Sequence, residues 1–178
     1  MRALLERLKL VDYLTTEIPI EKRVFVERLR NSVDPGGTGF LGVPLEAFRS
    51  TKNEYKGVVT DDSFKIRRRK RMFDSNLALA KAEGTFRQKD EKLIITSTIT
   101  GFNNFIIPFL IFILIFYLAA IVSFAFFGPK DDFAWVIFPF ILVHAAFMVG
   151  IPYFVMRRSV AKLKYDLERD FFFMTKEV

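Results

Sequence analysis

Two long apolar stretches dominate the second half of the sequence. Phe105 to Phe127 runs for 23 residues without a charged side chain, and Phe133 to Met156 runs for another 24. As helices, at about 1.5 Å per residue, they would reach roughly 34 to 36 Å, enough to cross a hydrocarbon core of about 30 Å. A soluble chain of 178 residues is too small to bury two helices that are apolar all round. The sequence therefore predicts two membrane spans.

The link between these stretches and its charged flanks predict the topology. Gly128 to Asp132 consists of five residues of turn-forming character, so the spans should form an antiparallel hairpin over 104–156 with both flanks on one side. Residues 1–103 carry 20 Lys and Arg and residues 156–178 carry six, against one in the link. By the positive-inside rule both termini are predicted to be cytoplasmic, with Arg157 and Arg158 as the strongest anchor. Charges break up the first ten residues, so no cleavable signal is predicted there.

The first hundred residues predict a cytoplasmic α+β domain over 1–103. Apolar spacings of three and four predict a short amphipathic helix within residues 1–14, with a strand from Lys9 onward as the alternative, and a second helix over Ile20 to Val33. Four alternating segments then predict strands, at 54–60, 63–69, 77–87 and 93–100. We expect a four-stranded antiparallel meander with the second helix covering one face.

A run of five basic residues, Arg67 to Arg71, begins directly after Ile66, inside the predicted strand 63–69. Because side chains alternate along a strand, Lys65, Arg67 and Arg69 should share the face opposite Phe64 and Ile66. Together with Arg71, they are predicted to contact anionic lipid or an acidic partner. The alternative is a charged edge strand that resists pairing. Nucleic acid is disfavoured because no aromatic stacking platform accompanies the run.

The tail, residues 157–178, predicts a further amphipathic helix. Val160, Leu163, Leu167 and Phe171 recur at spacings of three and four among charged residues. This apolar stripe needs a partner, which could be the meander, another copy of the chain or the membrane interface. The adjacent triplet 171–173, all phenylalanine, favours the last two. We therefore expect Leu163, Leu167 and Phe171 to form packing or oligomer contacts.

The single histidine, His144, lies within the second predicted span. An ionisable group at that depth is a functional candidate by default, so His144 is grouped with the predicted helix-packing or oligomer contacts. The alternative is a neutral imidazole that hydrogen-bonds a neighbouring carbonyl or Tyr117.

Enzyme chemistry finds little support in the sequence. The chain has no cysteine, and it shows no phosphate-binding loop, paired metal-ligand spacing or nucleophile motif. We therefore expect no enzyme activity, no metal and no cofactor. The predicted function is a non-enzymatic membrane scaffold or subunit, with lipid and other subunits or copies of itself as partners and no nucleic acid. The alternative is a pore-forming effector built from the hairpin, with Ser123, Tyr117 and His144 as a thin polar stripe.

The order of short motifs along the chain carries one resemblance. The segments 18–20 (IPI), 55–57 (YKG), 64–66 (FKI) and 93–95 (LII), followed by a span, resemble small bacterial membrane proteins in which a β-rich cytoplasmic domain precedes a two-span hairpin. The resemblance implies a location in the bacterial inner membrane. It implies no catalytic residues.

Overall fold

The chain forms an α+β protein with a six-stranded sheet and two long apolar helices. A computed structural model describes residues 2–39, 53–69, 79–101, 106–127 and 134–176. Its elements are α1 (Arg2–Arg7), β1 (Val11–Ile18), α2 (Lys22–Ser32), β2 (Val33–Pro35), β3 (Tyr55–Val59), β4 (Ser63–Arg68), β5 (Lys81–Lys89), β6 (Lys92–Thr100), α3 (Ile106–Phe127) and α4 (Ala134–Lys176). Two compact units emerge, one containing residues 1–102 together with 156–178, the other containing 103–155.

The sheet confirms the predicted meander and extends it. Strands β3 to β6 pair in sequence as antiparallel neighbours, and each overlaps one of the four segments predicted from the alternation. The prediction of only four strands is wrong. The full order is β1-β6-β5-β4-β3-β2, because β1 adds to β6 in antiparallel fashion and β2 adds to β3 in parallel fashion.

The N-terminal segment contains both of the structures that the sequence left as alternatives. Helix α1 ends in a Schellman motif, in which the Leu10 amide donates to the carbonyl of Leu5 and the Lys9 amide donates to that of Glu6, each at 2.9 Å. Lys9 lies in the left-handed region, with φ 56°, and turns the chain into β1. The helix therefore stops before the strand begins at Val11.

One face of the sheet carries the core of the first unit. Phe64, Ile66, Ala82 and Ile95 alternate inward along their strands and are buried. Gly84 in β5 leaves room for the ring of Phe64 on β4, since a Cβ at Gly84 would lie 2.5 Å from a ring carbon. Helix α2 packs Phe25 and Leu29 onto this face, as predicted for the second helix.

The second unit contains α3 and the first part of α4. Both helices are long and apolar enough to cross a membrane, and the first candidate span, Ile106–Phe126, has a mean hydropathy of 2.8. Their large side chains are mostly exposed in the described residues, including Phe112, Leu114, Phe140 and Phe154. This surface contrasts with the alternating pattern of the sheet.

Candidate functional site

The tail part of α4, from Met156 onward, is built into the α+β unit. Its apolar stripe, Val160, Leu163, Leu167 and Phe171, is buried with the sheet residues in a single core. The partner of the stripe is thus the protein's own sheet, which was one of the three candidates that the sequence left open. Leu163, Leu167 and Phe171 are consequently not available as exposed oligomer contacts, and residues 157–178 do not form a separate domain.

Four phenylalanine rings form the centre of this packing. The ring of Phe171 meets that of Phe25 at 5.4 Å and that of Phe64 at 6.0 Å between centroids, both edge to face. Phe86 contacts the same two rings, at 5.8 Å from Phe25 and 5.2 Å from Phe64. The cluster joins α2, β4, β5 and the tail, so each element depends on the others for cover.

Polar residues beside the apolar stripe of the tail form hydrogen bonds with groups in and next to the sheet. The Ser159 hydroxyl oxygen accepts hydrogen bonds from the backbone amides of Leu79 at 3.1 Å and Ala80 at 3.0 Å, just before β5. The Lys164 Nζ donates to Asp12 Oδ1 in β1 at 2.9 Å. The tail therefore satisfies buried backbone donors as well as covering apolar surface.

An ionic cluster at the β3–β4 end completes the contact. Asp166, 3% exposed, forms a salt bridge with Arg68 of β4. The hydroxyl of Tyr55 in β3 donates to Asp170 Oδ2 at 2.6 Å. Burial, and secondly this hydrogen bond, raise the pKa of Tyr55 well above its ordinary value, so the phenol stays neutral in the folded protein. Arg169 reaches Asp170 at 2.8 Å and Asp166 at 3.8 Å.

The predicted basic face differs from the observed one. Lys65 is exposed, but its Nζ lies 3.0 Å from Glu83 Oε1, and Lys81 approaches the same oxygen at 3.1 Å. The hydrogen bond from Lys65 is the main reason that the pKa of Glu83 is lowered. Arg67 and Arg69 are only 2% and 6% exposed, and Arg69 forms a salt bridge with Asp34.

The expectation of an outward-facing row is therefore wrong for these two arginines. Their side chains present almost no surface to a lipid or a partner. Arg71 lies outside the described residues. Arg158 is exposed and Arg157 is half-buried, directly after Met156.

The histidine alternative involving Tyr117 matches the structure of the hairpin. The Tyr117 hydroxyl on α3 and the Nδ1 of His144 on α4 form a hydrogen bond. The His144 ring also stacks on that of Phe140, with the planes 7° apart. His144 thus joins the two apolar helices through a polar contact between them.

Two surface cavities of the α+β unit are lined by paired charges. The larger, about 740 Å³, lies beside α2 and includes Arg30 and Asp61, whose side chains meet at 2.8 Å. The second, about 450 Å³, includes Tyr55, Asp170 and Arg28, which donates to the carbonyl of Met174 near the end of α4. Within the described ranges, no cluster of three or more His, Asp or Glu could hold a metal ion.

The residues that sequence reasoning missed are Ser159, Asp166 and Asp170. A signal was present, because all three fall on the helical face of the apolar stripe, next to Val160, Leu167 and Phe171 respectively. Carboxylates on a buried stripe require cationic or hydroxyl partners inside the same fold.

Comparison with known proteins identifies no relative: no family model, no curated protein and no solved structure matches the chain.

Proposed function

We propose that the chain is a non-enzymatic integral membrane protein in which the hairpin anchors an α+β binding domain to the bilayer. One observation carries the anchor: apolar side chains are exposed along both long helices, to 69% at Leu114 and 71% at Phe140. A surface of that extent in water would cost about 25 cal/mol per Å², whereas lipid covers it. Each helix is also long enough to span the hydrocarbon core.

The charge distribution supports a cytoplasmic position for both ends in the bacterial inner membrane. The chain carries a net charge of +7, with a single lysine in the link. Arg157 and Arg158 follow the second span directly and suit contact with anionic headgroups. The hydrogen bond between Tyr117 and His144 favours an anchor over the pore alternative, since it occupies two of the three polar groups that would line a pore.

The domain acts in this proposal as a scaffold or subunit that presents folded surface to a partner. Helix α2 and the tail cover one face of its sheet, and the other face carries threonines and the Lys65, Glu83 and Lys81 cluster. Tail residues Phe172 and Phe173 add exposed aromatic surface beside the buried Phe171. An exposed polar sheet face next to exposed aromatic side chains is more typical of a protein-binding surface than of a substrate site.

Anchoring and orientation can be tested with thiol labelling, because the chain has no cysteine. The K130C variant places a thiol in the link, and the matched T85C variant places one on the exposed side of β5. We expect an impermeant maleimide to label K130C in intact cells and T85C only after permeabilisation. Extraction of the protein from membranes by alkaline carbonate would overturn the anchor, and the reverse labelling pattern would overturn the orientation.

The scaffold role needs a separate measurement. We expect the wild-type protein, purified in mild detergent, to run in native electrophoresis and mass measurement as a particle larger than one chain. A strictly monomeric particle with no co-purifying protein would contradict the subunit role while leaving the anchor intact.

A further inference from the structure

Helix α1 leaves two leucines on the surface of the α+β unit. Leu4 is 58% exposed and Leu8 is 36% exposed. Residues four apart lie on the same face of a helix, so the two side chains form one small apolar patch. Arg2, Arg7 and Lys9 are exposed around it. Apolar residues flanked by basic ones are typical of helices that lie in a membrane interface.

The helix is held in a defined position on the domain. The hydroxyl of Tyr13 in β1 donates to Glu6 Oε1 at 2.5 Å, and the guanidinium carbon of Arg2 lies 5.9 Å from the centre of the Tyr13 ring. The Glu6 hydrogen bond thereby docks one side of α1 onto β1, while Arg2 stays exposed. Lys9 keeps a positive φ that glycine would adopt more easily, so a basic residue stands where the turn alone favours glycine.

The end of α1 lies beside both points at which the chain leaves the unit. The Gly101 amide donates to the carbonyl of Leu10 at 2.9 Å, and Ile106 begins α3 only five residues later. Five residues span at most about 17 Å. A Cβ at Gly101 would lie 2.9 Å from the carbonyl oxygen of Met156, the residue that follows the 103–155 unit.

We propose that α1 is an interfacial lipid-binding element, with Leu4 and Leu8 in the headgroup region of an anionic leaflet and Arg2, Arg7 and Lys9 on lipid phosphates. This inference rests on the proposed membrane anchor. A helix of six residues is too short to bind lipid on its own. Here the membrane anchor holds α1 close to the bilayer, and this high effective concentration lets a weak contact be occupied most of the time.

The test places a thiol-linked environment-sensitive fluorophore on the full chain in vesicles of about one-third anionic lipid, a composition that attracts basic segments. The A3C variant reports on α1 without altering either leucine. The T85C variant is the water-exposed control, and L114C, measured with nitroxide lipids labelled deep in the acyl chain, reports on the apolar helix α3. Nitroxide lipids with the spin label near the headgroup should quench the fluorophore at residue 3 at least about twofold more than at residue 85.

Two sets of substitutions should lower the quenching at residue 3. Adding L4E and L8E to A3C should return quenching to the residue 85 value, and adding R2Q, R7Q and K9Q should reduce it and remove its dependence on anionic lipid. Raising salt from about 0.05 to 0.5 M shortens the Debye length from roughly 14 to 4 Å and should weaken quenching in the parent. All five positions are exposed, so folding of the core should be unaffected.

The controls separate the outcomes. Quenching at residue 114 without quenching at residue 3 would overturn the inference and leave the membrane anchor standing. No quenching at either position would overturn the proposed function itself. A label at residue 3 that is shielded from water but untouched by nitroxide lipid would show that protein covers α1, which also overturns the inference.

Discussion

The two parts of helix α4 contain similar apolar residues and cover them in opposite ways. Between 138 and 155, Phe140, Phe147 and Phe154 are exposed, whereas beyond Met156 the stripe ending at Phe171 is buried against the sheet. The first part is apolar all round, whereas the second is apolar only along the stripe and carries charged residues on the rest of its surface. Apolar residues in a narrow stripe can be covered from within the chain, while a continuous apolar surface requires a cover from outside.

The largest expected effect comes from breaking the buried stripe. The F171A substitution removes the ring that touches both Phe25 and Phe64, and should lower the free energy of opening of the α+β unit by about 3 to 5 kcal/mol. The neighbouring F172A is the matched control, since Phe172 is 53% exposed and its loss should stay within about 0.5 kcal/mol. The F154A substitution on the apolar part should also leave the unit unchanged.

Opening can be followed by thiol labelling at a buried reporter, A82C, in the full chain in lipid nanodiscs. Ala82 is fully buried in β5, so its labelling rate reports the fraction of open molecules. Equal labelling of A82C in the F171A and F172A backgrounds would show that the tail does not complete the core.

A smaller effect is expected from the buried ion pair that attaches the same stripe. The D166A substitution leaves Arg68, whose side chain is 21% exposed, without its carboxylate and should cost about 3 kcal/mol. Replacing both residues, as R68M with D166L, should recover most of that loss because no buried charge remains. A double variant as unstable as D166A would contradict this account and indicate that Asp166 acts through Arg169 instead.

The smallest effect concerns the hydroxyl of Tyr55. Y55F should cost about 1 to 2 kcal/mol, since it removes the hydrogen bond to Asp170 and leaves a partly buried acceptor. The pKa of Tyr55 is raised in the folded protein, so its contribution is complete below the unfolded pKa of about 10 and is lost as pH rises above it. We expect opening of the wild-type unit to become easier above pH 10, by about 1.4 kcal/mol per pH unit from this group.

In Y55F this part of the pH dependence should be absent. The difference between Y55F and wild type, measured with the A82C reporter, should therefore shrink as pH rises above about 10. A difference that is independent of pH would mean that Tyr55 ionises equally well in the folded unit.

Local periodicity predicted much of the fold and little of the long-range pairing. Strands β3 to β6 and helix α2 followed from alternation and from spacings of four. Strand β1 was ambiguous because its inward-facing positions include Asp12 and Thr16, which hide the alternation. Asp12 is accommodated there only because Lys164, 152 residues away, supplies its partner.

The site was harder to predict for the same reason. The basic run reads as a charged surface when the sequence is considered alone. Arg68 and Arg69 instead meet Asp166 and Asp34, and neither pairing has a local signature in the sequence. Strand β2 is three residues long, contains Pro35 and pairs in parallel, so no alternating pattern predicts it. The structure at Arg68, Arg69 and β2 is therefore set by contacts with residues that are distant in the sequence.

The order of synthesis gives the tail a further significance. The ribosome makes all six strands first, then both apolar helices, and only afterwards the residues from Met156 to Phe171 that close the core. Until then Phe25, Phe64 and Phe86 lack their fourth ring, and the nascent sheet exposes an aromatic surface. If the hairpin enters the bilayer as proposed, the domain matures only after insertion. A chain that stalls in the membrane would display an open core to chaperones and proteases.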